Sequence, residues 1–136
     1  MAQIKAHKVD LSKEGGHQSA VILWAAQESV RAKWPELALL HHIPNGGTRD
    51  PVEAAHLKRQ GVRSGVPDLH LPVPRGGYAS LYIEMKRPGG SLSQNQRWWL
   101  SRLEDEGNRA VVCYGWEEAV AEIEKYLKGG RKCGKE

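Results

Sequence analysis

The sequence contains no phenylalanine, only two cysteines and no long run of apolar residues. Cys113 lies in the apolar stretch 110–114 and is predicted to be a buried thiol, whereas Cys133 lies in a glycine- and lysine-rich end. Two such cysteines provide neither a disulfide framework nor a zinc site, which favours a reducing cytosol. No segment has the length of a membrane span, and the first residues lack the apolar stretch of a secretory signal. We therefore expect a soluble, cytoplasmic protein with no membrane partner.

Basic residues exceed acidic ones by a small margin. The 136 residues include 20 Lys and Arg against 16 Asp and Glu, with a net charge of +4. This balance suits a polyanionic partner such as nucleic acid, although many ordinary soluble domains are equally basic. The length predicts one domain, over residues 13–128, after a loose segment 1–12 and before a basic, flexible tail 129–136.

Apolar periodicity and turn residues predict alternating helices and strands. Asp50 and Pro51 form a helix start, Gly61 a helix end, and Ser93-Gln-Asn-Gln96 a capping box. Helices are predicted over residues 12–34, 50–61, 93–107 and 117–127, and strands over 37–43, 68–73, 80–86 and 110–114. This order predicts an α/β fold in which helices flank a small mixed sheet.

One strand carries the candidate chemistry. Residues two apart on a strand share a face, so Glu84 and Lys86 point the same way. Asp68 begins the preceding strand, and the short connection makes the two strands neighbours. Two carboxylates and an ammonium then converge at one sheet edge. Without further evidence, the same residues also fit a solvated strand edge with a surface ion pair.

The carboxylates favour a hard divalent cation. Asp68 and Glu84 offer oxygen ligands of the kind that bind Mg²⁺ or Mn²⁺, and the main-chain carbonyl of Met85 is a third candidate ligand. Such an ion neutralises charge on a phosphodiester and acidifies a bound water. Lys86 would hold the attacking water and stabilise developing charge, acting as a positioning group before a base.

Several motifs in order resemble one nuclease family. Gly61-Val-Arg-Ser-Gly-Val-Pro-Asp68, Ile83-Glu-Met-Lys86 and Ser93-Gln-Asn-Gln96 are similar to the VRR-NUC branch of the PD-(D/E)xK nucleases. Ile43-Pro-Asn-Gly-Gly47 also matches that branch, and the likeness extends from about residue 14 to residue 127. The resemblance implies a restriction-endonuclease-like αβββαβ core, with Asp68 and Glu84 as metal ligands and Lys86 as the catalytic lysine.

The resemblance also implies an acidic residue on the first helix. Glu14 and Gln18 fit the family's E-x-x-x-Q pattern and lie one turn apart, although two glycines between them disfavour a helix start. Glu28 is the competing acid. Gln96 corresponds to a glutamine that faces the catalytic site in the family. Its alternative role is the capping box alone, and we expect its side chain to serve only one of the two roles at a time.

Loops and cations near the motifs are candidate DNA contacts. Glycines permit a close approach of backbone N–H groups to phosphates, and nearby cations would bind the backbone without reading sequence. Arg59 belongs to the same cluster in the sequence. The predicted DNA-binding residues are Asn45, Gly46, Gly47, Arg49, Lys58, Arg63, Ser64 and Arg87. Ordinary turns with surface cations are the alternative reading.

The resemblance to stand-alone members of virus and prophage type implies an endonuclease that cuts branched DNA such as a Holliday junction. A junction-resolving enzyme makes two paired cuts, so a symmetric homodimer is expected. The resemblance further implies Mg²⁺ or Mn²⁺, no organic cofactor, and action in the cytoplasm of a bacterial host. The alternatives are a flap or duplex endonuclease of repair or restriction type, and a non-catalytic DNA-binding module.

Overall fold

A four-stranded mixed sheet forms the centre of the chain. The structure, a computed structural model, describes residues 9–45, 47 and 49–131. The strands are β1 (His41–His42), β2 (Leu69–Leu71), β3 (Leu81–Lys86) and β4 (Arg109–Tyr114), in the spatial order β1-β2-β3-β4. The first three strands pair antiparallel, and β3 pairs parallel with β4. A helix therefore connects β3 to β4, as a parallel crossover requires.

Within the described part of the chain, five α-helices flank this sheet. They are α1 (Glu14–Ala26), α2 (Glu28–Lys33), α3 (Pro51–Arg59), α4 (Gln94–Asp105) and α5 (Trp116–Leu127). The mixed sheet with flanking helices agrees with the predicted fold class. Among the described residues, no helix is both long and apolar enough to cross a membrane.

The core lies between one face of the sheet and helices α1 and α5. Leu81, Ile83 and Met85 alternate along β3 and are at most 1% exposed. Val21 from α1 and Ile123 from α5 belong to the same buried cluster. Because alternate residues of a strand face opposite sides, Glu84 and Lys86 lie on the other face.

The thiol of Cys113 is buried, as predicted, and belongs to the core cluster. Its burial raises the pKa to about 12, so it is an inert core group. Cys133 lies outside the described residues.

Two predicted elements are wrong in their boundaries. The predicted helix 12–34 is broken at Gln27, whose backbone is extended (ψ 141°), so that α1 and α2 are separate helices. The first three residues of the predicted strand 37–43 belong to a 3₁₀ helix, Pro35–Leu39, and within that range only His41 and His42 pair as a strand. Pro35 suits a helix start, and a short apolar run cannot by itself distinguish strand from helix.

Helix α3 has the capping residues at both ends that its sequence predicts. The Asp50 carboxylate accepts a hydrogen bond from the Val52 amide, and Pro51 occupies the first turn. At the other end Gly61 has φ +104°. The Gly61 and Val62 amides donate to the Lys58 and Leu57 carbonyls, which forms a Schellman cap. None of the α3 residues is buried, so this helix stands out from the sheet.

Candidate active site

Strand register brings Asp68 beside Glu84. Leu69 pairs with Ile83 across the β2–β3 ladder. One step further along each strand, Asp68 therefore faces Glu84. The Asp68 Oδ2 atom accepts a hydrogen bond of 2.7 Å from the Met85 amide, which fixes that carboxylate against β3. The main chain of Met85 thus orients Asp68, while the role of its carbonyl as a metal ligand remains a prediction.

A third carboxylate comes from the first turn of α1. One oxygen from each of Glu14, Asp68 and Glu84 can be chosen so that all three lie within 4.8 Å of one another. The Lys86 Nζ atom lies 3.5 Å from Glu14 Oε2 and 3.9 Å from Glu84 Oε2. Glu28, the competing acid, is exposed on α2 and is not part of this cluster.

The cluster has more negative than positive charge. With all groups ionised, three carboxylates and one ammonium carry a net charge of −2. Glu84 is 1% exposed, and burial together with the charge of Asp68 raises its pKa to about 9, against the opposing effect of Lys86. Its buried Oε1 atom has no hydrogen-bond partner among the described residues. A hard divalent cation fits this donor set, because it would supply the missing positive charge to carboxylate oxygens.

The side chain of Gln96 serves two roles at once. Its Oε1 atom accepts a hydrogen bond from the Ser93 amide at 2.8 Å, which completes the capping box of α4. Its Nε2 atom donates to Glu84 Oε2 at 3.0 Å. The expectation that the two roles exclude each other is therefore wrong. A side-chain amide has both an acceptor oxygen and a donor nitrogen, and at the start of α4 each of them reaches its own partner.

His17 holds the helix that carries Glu14, a role that no local sequence pattern indicates. This buried imidazole accepts a hydrogen bond from the Trp116 amide at Nδ1 and donates from Nε2 to the Leu11 carbonyl. The two partners fix the tautomer and tie the start of α1 to the start of α5. Trp116 is 99 residues away in sequence, so no local pattern could reveal the contact.

Gly16 explains why glycine occurs where a helix former is expected. A Cβ atom built at Gly16 would lie 1.8 Å from the Asp10 carbonyl oxygen, whereas one at Gly15 would meet nothing within 4 Å. The segment before α1 therefore passes directly over Gly16. This close approach requires the absence of a side chain.

Gly65 plays a similar part in front of Asp68. Its φ is +92°, and a Cβ atom there would lie 2.8–2.9 Å from atoms of Asn95 in α4. The loop before Asp68 is thereby packed against the start of α4. This contact brings Asp68 and the Gln96 helix to the same site.

The predicted DNA-binding residues lie outside the acidic cluster. Asn45, Lys58, Arg63 and Ser64 line one groove of about 620 Å³ beside α3, together with Arg59. Gly47 and Arg49 are exposed in the loop before α3, and Arg87 is exposed directly after β3. Gly46 lies outside the described residues. Sequence reasoning missed the apolar walls of the groove, which α3 and Val62 provide.

The fold and site define an α/β domain in which three carboxylates and a lysine meet where α1 begins beside the inner strands of the sheet, and known proteins share this fold. The VRR-NUC domain model matches residues 12–117. A solved structure of a VRR-NUC domain protein aligns with a TM-score of 0.73 and 34% identity, covering 87% of this chain and 90% of that one. The chain belongs to the VRR-NUC domain family. This finding confirms the family resemblance and the fold class predicted from the sequence.

Curated relatives include longer nucleases. Fanconi-associated nuclease 1 homologs from Caenorhabditis briggsae and Caenorhabditis elegans are 48% and 46% identical to this chain over 52 residues. The matched segment is 38% of this chain but only 6% of either relative. The likeness thus concerns one segment of a nuclease, and the nuclease family is what this chain shares with those proteins.

Proposed function

We propose that the protein is a divalent-metal-dependent endonuclease that hydrolyses DNA phosphodiester bonds. The convergence of Glu14, Asp68 and Glu84 around one small volume, with the Lys86 ammonium beside them, carries this proposal. Membership of the VRR-NUC family and the nuclease relatives support it.

Glu14, Asp68 and Glu84 would hold Mg²⁺ or Mn²⁺. When bound, such an ion neutralises phosphate charge and lowers the pKa of water. Lys86 holds its ammonium toward the same volume and would bind the attacking water or a phosphoryl oxygen. Gln96 holds Glu84 in place through the hydrogen bond to Oε2, whereas the buried Oε1 has no hydrogen-bond partner among the described residues.

The basic loops would bind the DNA backbone. Arg49 is exposed in the loop before α3 and Arg87 directly after β3, and Lys58, Arg63 and Ser64 share the groove beside α3. Contacts of this kind to the phosphate backbone would give salt-dependent binding with little sequence preference. None of the described helices resembles a recognition helix of a sequence-specific DNA-binding protein. Asn45, Gly46 and Gly47 remain proposed backbone contacts.

Cleavage of end-labelled DNA tests the activity. A four-way junction, a flap and a plain duplex would be incubated with Mg²⁺ or Mn²⁺, with and without chelator. We expect metal-dependent cuts that Asp68→Asn abolishes and Asp105→Asn, a matched change on the exposed end of α4, leaves unaltered. Equal cleavage by wild type and Asp68→Asn would overturn the site. Binding without cleavage in every metal would favour the non-catalytic DNA-binding module.

The preferred substrate and assembly follow from the family likeness. We propose branched DNA as the substrate and a symmetric homodimer as the acting form, because a junction needs two cuts. Paired nicks on opposing strands of the junction, from a species of twice the chain mass in sedimentation, are the expected result. Preferential cutting of the flap or the duplex by a monomer would favour the flap or duplex endonuclease instead.

A further inference from the structure

The groove beside α3 has two kinds of lining that the acidic site does not explain. Lys58, Arg59 and Arg63 provide three cations, and no carboxylate lines the described part of the groove. Ala55, Leu57 and Val62 provide apolar wall between them. The volume of about 620 Å³ exceeds what a phosphate group alone would occupy.

The combination of cations and apolar wall in this groove fits an unpaired nucleotide better than an intact duplex. The backbone of an intact duplex presents phosphates and sugars to a protein, and cations suffice to bind it. An unpaired nucleotide also presents the faces of its base, which bind to apolar surface while its phosphates bind nearby cations. A groove with both linings complements the second form.

The groove is joined to the candidate active site by a short, fixed connection. Ser64 lines the groove, and the chain runs from it through Gly65 and Pro67 to Asp68. Four residue steps span at most about 14 Å. The Trp99 indole donates to the Ser64 carbonyl at 3.1 Å and Gly65 packs on α4, so this helix holds the groove end of the connection. The Met85 amide holds Asp68 at the other end.

We infer that this groove binds unpaired nucleotides of the DNA strand, within a few nucleotides of the bond that is cut. The inference rests on the proposed nuclease function and deepens it. The protein would then select substrates with a single-stranded or opened segment beside a duplex. Lys58, Arg59 and Arg63 would bind the phosphates of that segment, and the apolar wall would receive a base.

The test measures binding without cleavage. Fluorescence anisotropy in chelator would compare a blunt duplex with the same duplex carrying single-stranded tails of increasing length. We expect tighter binding to tailed DNA, by about fivefold or more for one well-bound base, with no further gain beyond the first few nucleotides. Equal affinity for blunt and tailed DNA would overturn the inference.

Two matched pairs of variants locate the effect. Ala55→Leu fills the apolar wall without changing charge, and Ala32→Leu makes the same change at an exposed position of α2. We expect Ala55→Leu to remove the preference for tailed DNA, whereas Ala32→Leu should retain it. Lys58→Ala should reduce the salt dependence of tail binding by about 0.7 in log–log slope, whereas Lys33→Ala should not. A tail preference that survives both groove changes would overturn the location.

Failure of this inference is distinguishable from failure of the proposed function. Metal-dependent cleavage with no tail preference would retain the nuclease and reject the groove. A tail preference without cleavage in any metal would retain the groove and reject the nuclease. Tighter binding to an RNA tail than to the same DNA tail would reject DNA as its occupant.

Discussion

Buried charges occur at both ends of the β2–β3 hairpin, and the two ends handle them differently. At the connection between the strands, the buried Arg75 guanidinium forms an ion pair with Glu36 and donates to the Pro74 carbonyl. At the other end three carboxylates form a cluster, and the Lys86 ammonium lies beside two of them, Glu14 and Glu84. Glu36 and Glu84 each have one buried oxygen without a hydrogen-bond partner among the described residues. An orphaned oxygen therefore does not identify a site.

The pKa values of Glu36 and Glu84 are shifted in opposite directions. Partial burial raises the pKa of Glu36, but hydrogen bonds from its own backbone and from Arg75 outweigh this effect and lower it. Burial and the charge of Asp68 raise the pKa of Glu84, and Lys86 does not compensate. One end is a balanced structural ion pair, and the other lacks positive charge. A divalent cation bound there would neutralise this imbalance.

The largest expected effect is on activity. Lys86→Ala should reduce cleavage by about 100-fold or more, because it removes the ammonium that lies beside the carboxylate cluster and would bind the reacting phosphate. Arg75→Met, at the other end, should leave the rate of folded protein within about threefold of wild type, since no substrate contact is lost. Single-turnover rates at a temperature where both variants are folded provide the measurement. A comparable rate loss in Arg75→Met would break the distinction between the two ends.

Glu36→Gln should destabilise the fold by about 2 kcal/mol, because it leaves the buried Arg75 guanidinium without its charge-assisted partner. The free energy of unfolding from urea titration, in chelator, gives the value. Unchanged stability would show that the ion pair contributes little.

Glu84→Gln should act in the opposite direction. A pKa of about 9 means that metal-free protein at neutral pH folds with this carboxyl protonated, so folding takes up a proton that a Gln amide does not require. The Gln amide can still accept the hydrogen bond from Gln96, so we expect stabilisation of up to about 1 kcal/mol. The same urea titration in chelator tests this. A loss of 2 kcal/mol or more would mean that the Glu84 carboxylate stabilises the metal-free fold.

The smallest effects concern the glycines that support Glu14. Gly15→Ala should stabilise the protein by up to about 1 kcal/mol through helix propensity, and Gly16→Ala should instead lower stability by a similar amount, because its Cβ would displace the Asp10 segment. Thermal unfolding of the two variants side by side gives the comparison. Equal shifts of the same sign would show that the Asp10 segment does not pack on Gly16 in solution.

The sequence determined the elements with strong local signals. The caps of α3 and α4, the alternation along β3 and the buried strand at Cys113 each depend on neighbours in the chain, and the structure contains all of them. Glu84 and Lys86 lie on the same face of β3, because side chains alternate between the two faces of a strand. The order of motifs was sufficient to indicate the VRR-NUC family, which the family match confirmed.

Only the tertiary structure decided which acid joins the cluster and how the site is supported. Glu14 and Glu28 are both acidic residues on predicted helical sequence, and the choice depends on the packing of α1 beside the end of β3. Three supporting contacts connect residues that are distant in sequence or lie on separate elements. They are the hydrogen bonds between His17 and Trp116 and between Gln96 and Glu84, and the packing of Gly65 against Asn95. Local sequence patterns do not reveal such contacts, because burial and charge balance arise only when separate elements pack together.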